Sequence, residues 1–408
     1  MKKFAMPVVF LFAFLFTMLF GNLLPVHVRL FFCNLSLTIK DCMIFTMPFV
    51  IFSLVSLSLY KIGAIGSMKS LFLIVSLACC SNFLNTFISY LLGNLCAKAE
   101  LILSVHDVVS KTEQSYAPLF SLTPIISNDF TLLAGVVFGI FCAQIKHKKI
   151  TRLLKIAEAF VGYFFKILLP LMPLFIFGTA LKLDHDGMIS MIVSEYFIVA
   201  LIFLLSCCGY ILLQLFFVAG CSFKKEAEYL KNLLPAVIAG FGTMSSIAAL
   251  PLSVSAAEKN SSDKNNARVI VPCTVNIHLV GDCFFIPFMA LAILFRFGRE
   301  IPDILTYLTF SLYFVAAKFA VAAVPAGGII VMLPILQNYL GFDSEMLGLI
   351  MAIYVLFDPF VTGCNVAGNC SLAIIFDKVV NRLKRKVDGS NNELDPGKSH
   401  VNCVVRAD

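Results

Sequence analysis

The chain of 408 residues is 60% hydrophobic and 13% charged, against about 45–50% apolar and about 25% charged in soluble domains, which excludes an ordinary soluble globular protein. Its formal net charge of +7 is dispersed in short basic clusters between apolar runs, so nucleic acid is excluded as a partner and the clusters read as membrane-topology signals. The 14 cysteines have no Cys-x-x-Cys or Cys/His ligand spacing, so no metal and no cofactor is expected.

Apolar runs, each about long enough to span a hydrocarbon core of about 30 Å, fall at residues 4–24, 43–60, 70–94, 129–145, 157–181 and 188–220. No small-x-small cleavage site follows the first run before Pro25, so it is expected as an uncleaved helix. Lys2 and Lys3 place the N-terminus in the cytoplasm, and each second crossing returns to a basic cluster: Lys61 and Lys69, then Lys146, Lys148, Lys149 and Arg152, then Lys224, Lys225 and Lys231.

Pro235 to Ala257 is long enough for one crossing, but Lys259, Lys264 and Arg268 make its far flank as basic as its near flank. A re-entrant hairpin keeps both flanks on the cytoplasmic side. Gly240, Gly242, Thr243, Ser245, Ser246 and Pro251 in its middle are poor material for a continuous helix. Such backbone survives at membrane depth only where protein or a water-filled cavity satisfies it. Residues 269–295 then cross outward, interrupted by Asn276, His278, Gly281 and Asp282. Residues 304–340, broken at Pro325, Ala326, Gly327 and Gly328, are expected as a second hairpin entering from outside. Residues 346–376 cross back to a basic cytoplasmic end, and 387–408 form a polar tail expected to be disordered. The sum is an all-α integral membrane protein of about eight transmembrane helices and two re-entrant hairpins. Paired broken segments in corresponding halves point to a transporter site near the bilayer midplane.

Asp358, Thr362, Asn365 and Asn369 recur every three or four residues and share one helix face. A carboxylate there costs about 2.5–3.5 kcal/mol on insertion scales, so Asp358 must meet a polar partner or a cavity. The stripe is either interhelical glue or a solute site. Lys166, Glu195 and Lys318 lie within or near apolar runs; for the first two, snorkelling or a packing ion pair suffices. Gly135 and Gly139 are assigned to close helix packing. No Walker A loop, HExxH pair or GxSxG elbow is present, so neither an ATP-driven pump nor a hydrolase gains support.

Three segments together resemble the dicarboxylate/amino acid:cation symporter family: GFGTMSSIAALP from Gly240 to Pro251, VPAGG from Val324 to Gly328, and the last helix from Asp358 to NVAGN at Asn365–Asn369. The resemblance implies a homotrimer working by an elevator movement within residues 1–386, with scaffold mostly 1–67 and 129–184 and transport domain mostly 68–128 and 185–386. It implies that Asp358 holds a substrate amino group and Asn365 the α-carboxylate, with Ser245, Ser246, Pro325, Gly327 and Thr362 around the same pocket. Val361 stands where acidic-substrate members carry an arginine, so a neutral or small amino acid is expected. Where the family has Asn-Met-Asp-Gly-Thr, residues 278–282 read His-Leu-Val-Gly-Asp. Val280 and Asn369 replace two carboxylates, and Ile247 replaces a serine. Sodium needs hard oxygens, so the expected coupling ion is a proton or none. The candidate coupling set is Asn276, His278, Asp282, Lys318 and Asn369, with Lys318 as a tethered substitute for an ion, Asp282 and His278 as proton carriers, or these groups only satisfying one another. The alternatives are a sodium- or proton-coupled glutamate or C4-dicarboxylate symporter, the latter suggested by Gly368 and Asn369, and a channel-like or transport-dead homologue. Bacterial inner membrane, with both termini cytoplasmic, is the expected location.

Overall fold

The computed structural model describes residues 5–65, 68–99, 116–145, 148–185, 196–321 and 326–394. Every regular element among them is helical: α1 (Ala5–Phe20), α2 (Val26–Ile65), α3 (Met68–Lys98), α4 (Asn128–Ile145), α5 (Lys148–His185), α6 (Tyr196–Val218), α7 (Phe223–Thr243), α8 (Ser246–Asn260), α9 (Lys264–Thr274), α10 (Val280–Arg296), α11 (Ile304–Ala317), α12 (Gly327–Leu340) and α13 (Ser344–Leu394). Helices satisfy their own backbone polar groups, which lipid cannot do for them. Among the described residues five helices are long and apolar enough to cross a membrane, and α5 makes a sixth if its 48° bend between Leu168 and Pro170 is counted as one span. Pro170 accounts for that bend by removing a backbone donor. The other two expected crossings are α1, of 16 residues, and the interrupted pair α9–α10.

Three boundaries differ from those expected. The second helix begins at Val26 rather than residue 43, because Arg29, Lys40 and Asp41 interrupt the apolar run without interrupting the helix. The first hairpin comprises α7 and α8, so its entering arm starts at Phe223; the charges before Pro235 lie on an amphipathic arm and do not precede it. The last helix continues to Leu394, so the expected disorder from residue 387 is corrected for its first eight positions. Lys2, Lys3, Lys146, Glu195, Val324 and Pro325 lie outside the described residues.

Two sets of helices pack most closely within themselves. In one, α2 is flanked by α4 and α5, and α1 packs on α5. Gly139 is the contact point with α4: a Cβ there would lie 3.0 Å from the backbone of Ser56. Gly135, a turn away, admits α2 in the same manner, and Ser56 Oγ donates to its carbonyl at 3.2 Å, so this glycine pair does mediate close helix approach. Gly178 of α5 lies so close to α2 that a Cβ would strike the Phe32 carbonyl and sit 2.8 Å from Ser36 Cβ. Gly178→Leu is therefore expected to force α5 off α2 and to destabilise by about 1–3 kcal/mol, read as a lower Tm of the purified protein.

The other set surrounds α10, in which every residue from Val280 to Leu294 is buried, the pattern of a helix apolar on all sides. It packs on α3, α6 and α13. Ser89 of α3 donates to the carbonyls of Cys283 and Phe284 at 3.3 and 3.0 Å, and Asn82 donates to Ile277 at 2.7 Å. The arms of the first hairpin run back on each other, since Asn260 at the end of α8 accepts from Asn232 at 2.7 Å and donates to the Tyr229 carbonyl at 3.1 Å. In the second hairpin Tyr313 of α11 stacks on Tyr339 of α12, with centroids 4.4 Å apart.

Candidate solute-binding site

Asp358, Thr362, Asn365 and Asn369 do lie on one buried face of α13, but they meet three different segments of the chain. Asp358 Oδ2 accepts the backbone N–H of Ala326 at 2.8 Å, and Oδ1 accepts the Thr362 hydroxyl at 2.9 Å. Ala326 sits at φ 59° and ψ 6°, a left-handed conformation that costs a residue with a Cβ roughly 1–2 kcal/mol. The carboxylate thus holds a strained hairpin tip. Asn365 binds the first turn of α10 in both directions: its Oδ1 accepts Asp282 N–H at 3.2 Å and its Nδ2 donates to Asp282 Oδ1 at 3.1 Å. Asn369 reaches the end of α9, accepting the Thr274 hydroxyl at 2.5 Å and donating to the Val271 carbonyl at 3.0 Å. The stripe therefore divides. Its lower members staple the broken helix, and Asp358 faces the hairpin.

The break itself runs from Val275 to Leu279, just before the polar Gly281 and Asp282, which belong to the first turn of α10. Gly281 admits α13 closely, since a Cβ there would meet the Val361 carbonyl and lie 3.1 Å from Asn365 Oδ1. Val280 occupies the place of an expected carboxylate with methyl groups packed on Gly368. In the break, His278 Nε2 pairs with the Ser81 hydroxyl of α3 at 2.9 Å, while its Nδ1 and the Asn276 Oδ1 are buried without a hydrogen-bond partner.

Asp282 is the hub. Its Oδ1 accepts the Tyr354 hydroxyl at 2.9 Å besides the Asn365 amide, and its Oδ2 accepts Lys318 Nζ at 3.2 Å. Lys318 is fully buried at the end of α11, its Nζ 4.2 Å from the centre of the Phe314 ring. The geometry brings Lys318, Asp282 and Asn365 together and turns His278 to a different neighbour. Tyr354 is a member of the site that the sequence pattern does not single out. It stands four residues before Asp358, on the same helix face, and that spacing is the signal that could have found it.

At the first hairpin, Met244 turns the chain in the left-handed region at φ 49° and Ser245 caps α8, accepting the Ala248 N–H at 3.3 Å. Ser246 is buried. Val237 lies against Gly363, and Phe241 against Phe360 with centroids 5.0 Å apart; the arm thus runs opposite to α13 and carries the serines toward the level of Asp358. Gly327 opens α12, and Val361 is fully buried. Lys166 is exposed on α5.

The family model described as the sodium:dicarboxylate symporter family matches residues 6–379. The chain belongs to that family. It is accordingly a multi-pass membrane protein, and the sodium:dicarboxylate symporter family is one of solute carriers rather than enzymes. Among curated relatives, it is 28% identical to the neutral amino acid transporter B(0) of Oryctolagus cuniculus over 179 residues, 44% of this chain and 32% of that protein. It is 28% identical to the excitatory amino acid transporter 1 of Rattus norvegicus over 230 residues, 55% of this chain and 40% of that protein. The match to the human B(0) transporter covers 40% of the chain and 30% of the relative, at 26% identity. The chain thus matches well under half the length of these members of the family.

Proposed function

We propose that this chain is a secondary carrier for a neutral or small amino acid. The observation that carries the reading is a buried carboxylate, Asp358, beneath the tip of the second hairpin, with the apolar Val361 one turn along the same helix. Opening the tip would free Asp358 to take a substrate ammonium, with Thr362 and Asn365 beside it for the α-carboxylate. A second substrate carboxylate would find no guanidinium, and an unpaired charge in such a pocket is costly. The names of the relatives do not separate the substrates, since neutral and excitatory amino acid transporters both occur among them. Val361, which offers no charge to a second carboxylate, favours the neutral substrate. A C4-dicarboxylate fits less well, because a dianion would meet Asp358 and no arginine.

The reading extends to coupling and movement. Val280 packed on Gly368 and the self-satisfied Asn369 leave little carboxylate oxygen for sodium, so coupling to a proton, or exchange without a coupling ion, is favoured. The packing of α1, α2, α4 and α5 against one another, apart from the assembly around α10, supports a scaffold and a mobile transport domain that moves as an elevator. The hydrogen bond from Ser58 Oγ of α2 to the Phe319 carbonyl, at 3.2 Å, is then a sliding contact between them. A homotrimer in a bacterial inner membrane, with both termini cytoplasmic, completes the proposal.

Counterflow of radiolabelled amino acids in proteoliposomes tests the carrier reading, and a protein that mediates none of them is a channel or a dead homologue. Alanine, serine or cysteine is expected to enter well ahead of aspartate; the reverse order would sink the specificity. Uptake is expected to persist when sodium is replaced by choline, whereas strict dependence on sodium would rule out sodium independence.

A further inference from the structure

Two other ion pairs lie at the surface, with side-chain exposures of 53% and 48% for Lys61–Glu158 and 60% and 23% for Arg268–Glu258. Lys318 and Asp282 are 0% and 1% exposed. Burying two charges costs several kcal/mol each before their attraction repays any of it. The Tyr354 hydroxyl and the Asn365 amide tie Asp282 to α13, whereas the Lys318 ammonium ties it to the second hairpin.

The placement suggests what the ammonium adds. Lys318 opens the short 3-10 turn that follows α11 in the first arm of the second hairpin, and Gly328 in the first turn of the second arm abuts the same carboxylate. Both arms thus close on Asp282, which belongs to the interrupted helix. The ammonium rests between Asp282 Oδ2 and the face of Phe314, an environment of one anionic oxygen and one π-face that suits a small monovalent cation. We infer that Lys318 is the resident cation of the second hairpin: its Nζ occupies, on a tether, a site that would otherwise draw a free cation from solution. The hairpin then closes on α10 without one. A chain lacking the ammonium at 318 keeps a buried anionic site that takes a primary alkylammonium or an alkali cation. This deepens the sodium-independent reading and rests on it, but its test reads unfolding rather than uptake.

The full-length protein is purified in detergent and its Tm measured at constant ionic strength, with choline chloride replaced by sodium, lithium or methylammonium chloride. The wild type is expected to be indifferent to the exchange. Lys318→Ala is expected to melt lower in choline and to recover by roughly 2 °C or more in saturating methylammonium or sodium, as binding to the folded state requires. The double variant Asp282→Asn, Lys318→Met, which has no carboxylate to hold the cation, is expected to show no recovery. An indifferent Lys318→Ala, an equal response in the double variant, or a wild type stabilised by sodium would each overturn the inference. If Lys318→Ala gives no folded protein, Lys318→Gln is measured in the same way and judged by the same results. Sodium-dependent uptake beside an indifferent wild-type Tm would instead sink the sodium-independent reading and leave the resident cation standing.

Discussion

Asp358→Asn is expected to lower neutral amino acid counterflow by about 30-fold or more while leaving the protein folded. Removing one partner of a buried, hydrogen-bonded charge pair typically costs about 2–5 kcal/mol, and each 1.4 kcal/mol is about tenfold in affinity. The carboxylate is the acid on the polar stripe of α13 that faces the tip of a hairpin; the stripe's two asparagines are engaged with α9 and α10. An asparagine keeps one acceptor for Ala326 N–H or for the Thr362 hydroxyl, so the loss should fall on the substrate ammonium more than on the hairpin. Tm within about 2 °C of wild type would establish that the fold survives. Counterflow retained to within about threefold, less than 1 kcal/mol, would mean that Asp358 only secures the tip and that the amino group is held elsewhere.

That division of the stripe shows what the sequence could and could not display. Spacing alone places four polar residues on one face, because helical periodicity is local. Their different partners depend on which segments return to that face, and a pattern of three and four says nothing of it. The first hairpin is legible through charge: basic residues on both flanks of a single apolar run argue against a crossing. Its entering arm looks shorter than it is because Lys224, Lys225 and Lys231 resemble a loop, although they occupy the exposed side of an amphipathic helix. Lys318 and Asp282 each stand out as charges out of place, 36 residues apart, yet spacing associates Asp282 with His278, four positions away. In a regular helix that spacing makes neighbours. Here the helix stops before Val275 and resumes at Val280, so His278 leaves the backbone inside the break and Asp282 beyond it. One turns to Ser81, the other to Lys318. Local rules fail at the place where the chain departs from local structure, and that place is the candidate site.

Gly328→Ala should do more damage than its single methyl group suggests. A Cβ at this position would overlap Asp282 Oδ2, lie 2.5 Å from the Tyr354 hydroxyl and lie 2.9 Å from Asp282 Cγ. Side chains often give way to such a contact, but these two are buried and bonded to each other. Either Asp282 turns away, separating it from Lys318 and leaving an ammonium buried without its partner, or α12 backs off and takes the hairpin tip away from Asp358. Overpacking costs about 1–3 kcal/mol, and breaking a buried ion pair about 3–5 kcal/mol. Counterflow should therefore fall at least about tenfold, the equivalent of 1.4 kcal/mol, with Tm lowered as well. Gly162→Ala is the control, since nothing lies within 4 Å of the added Cβ and alanine is the better residue in a helix by about 1 kcal/mol; its counterflow should match wild type. If Gly328→Ala also matched wild type in counterflow and Tm, the hairpin would not be seated on Asp282 as tightly as the glycine contact requires, and the carboxylate would lose its place as the point where the hairpin, the broken helix and the polar stripe meet.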